Sequence, residues 1–339
     1  MTSPALEAFS KLPRVHLAHL PTPVEPLPNL TKYLGGPELW IKRDDQTGLA
    51  TGGNKARKLE YLMAEALDNG ADTVITAGST QSNHARQTAA AAAKLGLDCH
   101  LALFAPGGNP PQFSLGNILL DELLGATIHW TAERAPYKDS IVKIEDELKA
   151  AGKTPAVIPY GGSSPIGLMG YVGAILELAS QESITGPLDA VAFASSSGGT
   201  QAGMILGAHL TGWLGRVRLL AISIDERDEI LAERVANLAN AGAALLGDDW
   251  RINDDVPDIS DAYLGGGYAV VGDPEREAIR LLAEHEGVLA DPVYTGRALA
   301  GLIDLIRKGE FRAGQRVLFW HTGGYAALFA YGAELGLSN

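Results

Sequence analysis

Cysteine occurs once in 339 residues, at Cys99. A lone thiol rules out a disulfide framework within the chain and suits a reducing compartment. It stands in "LDCHLALF", which reads as a buried strand where a thiol packs as a small hydrophobe. Cations are also short, 27 against 40 acidic residues, for a net charge of −13. That deficit, with no block of lysine or arginine, argues against nucleic acid or an anionic membrane as a partner. No apolar run approaches the ~20 residues of a membrane span. The N-terminus, "MTSPALEAFSKLPRVHLAHL", lacks the charged-then-apolar order of a secretory signal, so the expected location is the cytoplasm. Linkers of Gly and Ser, internal repeats and low-complexity tracts are missing. So are G-x-x-x-x-G-K-[ST] and G-x-G-x-x-G, which weakens ATP and dinucleotide readings. His84 has no second histidine or carboxylate at metal-ligand spacing, and no metal is expected.

What the chain does have is 40 glycines, 46% hydrophobic residues and a regular alternation of patterns. Apolar strands such as "ADTVITAG", "DCHLALFA", "TIHWT", "AVIPYGG", "DAVAFASSS", "VRLLAISID" and "RVLFWH" are separated by helical stretches. Those stretches include "KARKLEYLMAEAL", "NHARQTAAAAAKLG", "KDSIVKIEDELKAAG", "GGTQAGMILGAHLTG" and a final helix in "GYAALFAYGAEL". The alternation predicts parallel sheets with helices on both faces. Right-handed crossovers make this an open α/β architecture, with ligands expected beyond the carboxyl ends of the strands. The acidic stretch "LGDDWRINDDVPDIS" reads as a solvated loop.

Three strand-to-helix loops carry unusual chemistry. In "LATGGNKARKLEYL" a glycine pair and Asn54 allow a tight turn, and Lys55 follows at the helix start. The helix dipole disfavours a cation there, and with Arg57 and Lys58 nearby the amine's pKa should fall. Lys55 is then either a neutral nucleophile for imine formation or an exposed helix lysine. In "STQSNHARQ", Ser82, Asn83 and His84 enter a helix, with more polar groups than one cap needs. His84 alone reads equally as a packed or surface histidine. In "SSSGGTQAG", serines, glycines and Thr200 at a helix N-terminus form an anion cradle suited to a small phosphate group. An amine, a polar Ser–Asn turn and a phosphate cradle together suggest pyridoxal 5′-phosphate.

At this point the chain resembles the fold-type II (tryptophan-synthase-β-like) pyridoxal-phosphate enzymes. The branch is that of D-cysteine desulfhydrase, L-cysteate sulfo-lyase and 1-aminocyclopropane-1-carboxylate deaminase. The likeness is carried in order by "LPTPVEPLPNL", "LWIKRDDQTGLATGGNKARKLEYL", "QSNHARQTAAAAAKLGL", "PYGGSSPIGLMGY", "SSSGGTQAG", "LADPVYTGRALAGLIDLI" and "HTGGYAALFAY". It implies an α/β fold of two open, mostly parallel twisted sheets flanked by helices, with the cofactor in the cleft between two domains. The larger would hold residues 1–54 and 160–339, the smaller 55–159. By the same resemblance Lys55 is the imine lysine and Asn83 bonds the cofactor's 3′-oxygen. Ser196, Ser197, Gly198, Gly199 and Thr200 hold the phosphate, with charge added by Lys58. Ser82 stands beside the substrate carboxylate, Tyr294 packs against the cofactor ring, and Tyr268 is its companion. The resemblance also implies a homodimer and a small amino-acid substrate.

Departures from the deaminase pattern bear on the reaction. An acidic residue after the matching tyrosine and an aliphatic one after the late histidine are replaced by Thr295 and Thr322. A threonine hydroxyl donating to the pyridine nitrogen makes a weaker electron sink than a carboxylate partner does. That suits α,β-elimination of a good leaving group better than opening of a cyclopropane. The threonines therefore favour elimination, and since the desulfhydrase group carries them too, the resemblance implies a lyase reaction, D-cysteine to sulfide, pyruvate and ammonia. Sulfite release from L-cysteate, the deaminase reaction and a catalytically silent binding protein remain alternatives. "GYAVV" after "GGG" departs from the usual "GYG", which leaves the shape of the substrate pocket open.

Overall fold

In chain order the strands are β1 (Val24–Pro26), β2 (Glu38–Arg43), β3 (Thr73–Ser79), β4 (Asp98–Phe104), β5 (Thr127–Thr131), β6 (Pro155–Val157), β7 (Ala190–Ser195), β8 (Arg218–Ser223), β9 (Ile259–Ser260) and β10 (Arg316–His321). They are seen in a computed structural model that describes residues 3–135 and 137–336. Six strands form one sheet in the order β1-β2-β10-β7-β8-β9, and four form a second, β5-β4-β3-β6. Every pairing is parallel except β1 against β2.

The central strand β7 shows why both faces need cover. Val191 and Phe193 join one core with Leu318, Trp320 and the helices Met169–Ser180 and Gly199–Thr211. Ala190 and Ala192 point the other way, into a core with Phe319 and the helices Asp273–Glu286 and Thr295–Arg307. Successive side chains alternate between faces, so a continuous apolar run serves two layers at once. The smaller sheet packs Val74, Leu101 and Leu103 against Leu59 and Met63 of the Lys55–Asp68 helix and the alanines of the Asn83–Leu95 helix. Cys99 lies buried in that core, and burial pushes its thiol pKa up. Among the described residues no helix is long and apolar enough to cross a membrane.

Several elements differ from the sequence reading: β2 was not read as a strand, the stretch read as a solvated loop ends in β9, and two further differences have a clear physical cause. "GYAALFAYGAEL" folds as a 3₁₀ segment over Tyr325–Ala330 rather than an α-helix. Its bonds run i to i+3, Ala327 to Gly324 and Tyr331 to Leu328. The few residues between Gly324 and Gly332 cannot repay an α-helical nucleus. Conversely, Asp228–Leu245 is an 18-residue helix with little sequence signal. Its buried face is mostly alanine (Ala232, Ala236, Ala239, Ala243), which blunts apolar periodicity.

The strand ends converge. The chain leaving β2 runs through 44–54 to Lys55, β3 leads to Ser82 and Asn83, and β7 to Ser196–Thr200. β10 leads to Thr322. Side chains from all four exits line one cleft.

Candidate active site

The turn before Lys55 is held from below. Asp44, fully buried, accepts hydrogen bonds from Arg57 Nε (2.9 Å) and Nη2 (2.8 Å), Tyr171 OH (2.6 Å), Trp320 Nε1 (2.9 Å) and Thr22 Oγ1 (2.9 Å). Gly52 has φ 71°, and a Cβ there would collide with the Asp45 carbonyl oxygen, so only glycine closes this turn. Lys55 emerges as the first residue of its helix, and its Nζ donates to Asn54 Oδ1 at 2.9 Å. Nζ also lies 5.9 Å from the Tyr294 ring centroid.

The Lys55 amine has its pKa lowered to about 8. Burial is the main cause; Arg86 lowers it further and Asp291 opposes both. The sequence reading assigned the effect to the helix dipole together with Arg57 and Lys58, and the structure corrects the part given to those two cations. Arg57 is neutralised by Asp44 and Glu177. Lys58 is buried, donates to the Gly161 carbonyl at 3.1 Å, and is itself depressed by burial and then by Lys55. It does not line the cleft. An amine is nucleophilic when deprotonated, so capture of pyridoxal phosphate by cofactor-free protein should speed up as pH rises through about 8 and level off above it. Absorbance stopped-flow across pH 6.5–9.5 (~0.5-unit steps) measures this; a midpoint near the ordinary lysine value of ~10.4 contradicts it.

At the second exit Ser82 caps the Asn83–Leu95 helix, accepting from Ala85 N at 3.1 Å. Asn83 Oδ1 accepts from Asn117 Nδ2 at 3.0 Å, which leaves the Asn83 NH₂ as a donor for a ligand oxygen. His84 Nε2 sits 2.9 Å from Thr76 Oγ1, whose own hydrogen goes to the Ile158 carbonyl. The histidine is buried at the edge of the cleft that it helps line, with burial, and then the Lys55 and Lys58 charges, holding its pKa well below the ordinary value.

The third exit is the cradle. Gly198 has φ 86° at the N-cap of the Gly199–Thr211 helix, where a side chain would be strained. Ser196 Oγ donates to Asp225 at 3.0 Å, and Ser197 Oγ pairs with Ser163 Oγ at 2.8 Å. Thr200 Oγ1 accepts from Asn54 Nδ2 at 3.2 Å, tying the cradle to the lysine turn. Ser163 also accepts from Gly199 N at 3.1 Å. Sequence reasoning missed Ser163, although its place in a glycine-rich turn after β6 was a signal. Thr200→Ala should weaken cofactor retention by about 10-fold, and Gly198→Val by more, with the fold intact. Equilibrium dialysis with pyridoxal phosphate checks this; unchanged retention in both would make the loop a structural turn only.

The tyrosines come together and the threonines do not. Tyr268 OH is 2.8 Å from Tyr294 OH, the rings meeting edge to face at 6.1 Å. Thr322 lines the cleft and accepts from Asn54 N at 2.9 Å through its carbonyl. Its hydroxyl has no hydrogen-bond partner among the described residues. Thr295 is fully buried, and its hydroxyl donates to Asp291 Oδ1 at 2.7 Å while accepting from Asp291 N at 2.7 Å. With its one hydrogen committed and its side chain outside the lining, Thr295 is not a donor to the cleft. Burial in the loop before the Thr295–Arg307 helix explains it: Asp291 caps three backbone N–H groups there.

An amine with no carboxylate partner, a free amide donor and a hydroxyl-lined helix N-terminus fit an aromatic aldehyde carrying a phosphate. The profile of the "Pyridoxal-phosphate dependent enzyme" family matches residues 15–323. The chain belongs to that family. As a pyridoxal-phosphate dependent enzyme it takes pyridoxal phosphate as cofactor. A curated relative from Salmonella choleraesuis, "D-cysteine desulfhydrase", is 45% identical over 96% of this chain and 98% of its own length. Its counterpart from Salmonella newport is 44% identical over the same shares. A solved structure of an "ACC deaminase homologue" superposes with TM-score 0.90 at 40% identity, covering 100% of both chains. Threonine deaminase isoform 2 from Solanum lycopersicum (TM-score 0.65, 17% identity, 98% and 88% covered) shares the fold.

Proposed function

We propose that this enzyme is a lyase that eliminates sulfide from D-cysteine, giving, with one water, hydrogen sulfide, pyruvate and ammonia. The observation that carries the reading is Thr322, a neutral hydroxyl at the cleft where a deaminase-like site places an aliphatic residue. The names and identities of the Salmonella relatives support it.

Pyridoxal phosphate, when bound, supplies the aldehyde that captures an amine and the ring that accepts electron density from Cα. Asn83, the Ser196–Thr200 cradle and Thr322 would hold it, with Lys55 as its covalent anchor. Ser82 and the first N–H groups of the Asn83–Leu95 helix, which lack intrahelical acceptors, favour the substrate carboxylate. Lys55, with its pKa lowered to about 8, can take a proton from Cα in its neutral form, which is far more populated near neutral pH than for an ordinary lysine. Tyr294, whose ring faces Lys55 Nζ, and Tyr268 present paired hydroxyls to the same cleft, suited to hold the substrate's β-substituent. Thr322→Leu removes the only cleft donor assigned to the ring nitrogen, and kcat for D-cysteine should fall about 10-fold. Sulfide and pyruvate release from D-cysteine, beside ammonia release from aminocyclopropane carboxylate, tests the reading. Faster ring opening than sulfide release by the unaltered enzyme would overturn it in favour of the deaminase reaction, which the likeness to the ACC deaminase homologue makes the second candidate.

The division into a larger unit (1–54 with 160–339) and a smaller one (55–159) is supported by the second sheet, whose strands all fall within 73–157. We further read the enzyme as a cytoplasmic homodimer, a state that sedimentation equilibrium tests.

A further inference from the structure

Ser79 ends β3, in the smaller sheet, and its carbonyl accepts from Ser82 N at 3.0 Å. The turn that presents Ser82 and Asn83 therefore also sets the Ser79 hydroxyl. Its Oγ lies 3.0 Å from Tyr268 OH, which is 2.8 Å from Tyr294 OH. Tyr294 in turn carries the ring facing Lys55 Nζ.

Tyr268 comes from the opposite side of the cleft. Its loop is fastened to the Thr295–Arg307 helix by Arg297, which donates to the Gly267 carbonyl at 3.1 Å and the Val270 carbonyl at 2.8 Å. Ala269, the next residue, has φ 62°, a conformation a non-glycine residue keeps only when its surroundings hold it. The backbone of Tyr268 thus belongs to the larger sheet's side, while its hydroxyl reaches a residue of the smaller one. Without Ser79 the phenol would keep one partner, Tyr294, and nothing across the cleft would fix the pair.

We propose that Ser79 is a positioning residue: its hydroxyl extends the tyrosine pair into a three-hydroxyl row, Ser79–Tyr268–Tyr294, that fixes the phenols over Lys55 from across the cleft. The inference rests on the elimination reading above. Ser79 lines the cleft, but its hydroxyl's one side-chain partner among the described residues is Tyr268, so it is placed to act through that phenol. A neutral hydrogen bond of this kind contributes modestly, so the effect should be moderate and confined to the chemical step.

The test is a double-mutant cycle on the holoenzyme. Ser79→Ala should lower kcat for D-cysteine about 5–10-fold, with KM and the affinity for D-alanine (read by cofactor absorbance) within about twofold. Ser79→Thr, which keeps the hydroxyl, should restore kcat to within about twofold. Added to Tyr268→Phe, Ser79→Ala should cost nothing more, since its partner atom is already gone. An unchanged kcat in Ser79→Ala, losses that multiply in the double variant, or an equal loss of D-alanine affinity would each overturn the proposal. An unaltered enzyme inactive on D-cysteine would instead refute the reaction. The Ser79–Tyr268 bond is then read from urea unfolding midpoints, where additive losses in the same cycle overturn it.

Discussion

Lys55→Ala should lose turnover by about 10³-fold or more, a general base being worth roughly 10²–10⁴ and the covalent anchor being lost as well. The protein should still fold, because Lys55 ends at the cleft and makes one hydrogen bond, to Asn54 Oδ1. Borohydride treatment of the unaltered enzyme should fix the pyridoxyl group on the peptide containing Lys55, and on nothing in the variant. Lys58 is the control. It lies buried against the Gly161 carbonyl and should carry no label. A label on Lys58, or activity retained in Lys55→Ala, would remove the lysine from its assigned role.

The second large effect is on stability. Asp44→Ala should destabilise the protein by about 3–5 kcal/mol, the scale of breaking a buried ion pair by removing one partner. Arg57 is 2% exposed, so losing Asp44 leaves it Glu177 as the one carboxylate partner among the described residues, with Thr22 Oγ1 as a neutral acceptor, and the Tyr171 and Trp320 donors lose their acceptor. Burial pushes the Asp44 carboxyl up, but Arg57 and Lys42 outweigh it and hold the pKa below the usual range. Glu177 is likewise pushed up by burial and held down by Arg57. Folded-state pKa values below the unfolded ones add stability that is full above the unfolded value of ~4 and lost as pH falls through the folded values. The unaltered enzyme should therefore lose stability steeply below pH ~4, and Asp44→Ala less steeply. Urea midpoints at pH 3 to 7 (about one-unit steps) measure both. Parallel losses in the two proteins would mean the cluster is not the acid-sensitive element.

The same residues show what the sequence could reveal. Lys55, Ser82, Asn83, Thr322 and four of the five cradle positions reach one cleft because each follows a strand end, whereas Tyr268 comes from a loop and Tyr294 from a turn between two helices. The strand-end pattern is local, visible without a partner strand in view; the two tyrosines were reached only through the family resemblance. Ser163 and Ser79 were not singled out because their roles depend on contacts far along the chain, with Ser197 and Tyr268. Thr295 misled for the opposite reason: its position in the motif is right, but a neighbour four residues away, Asp291, takes its hydroxyl. β2 was read only as part of a motif because Lys42 interrupts its apolar pattern. Lys42 is in fact fully buried and bonded to Glu177, Gln181 and the Thr22 carbonyl. Buried charge of that kind belongs to tertiary structure and leaves no periodic trace.

The most direct test of the account is the product balance with purified holoenzyme and D-cysteine. Sulfide, pyruvate and ammonia should appear in equal amounts, at a rate well above that with L-cysteine or L-cysteate. No sulfide from D-cysteine, or sulfite from L-cysteate as the faster product, would contradict it.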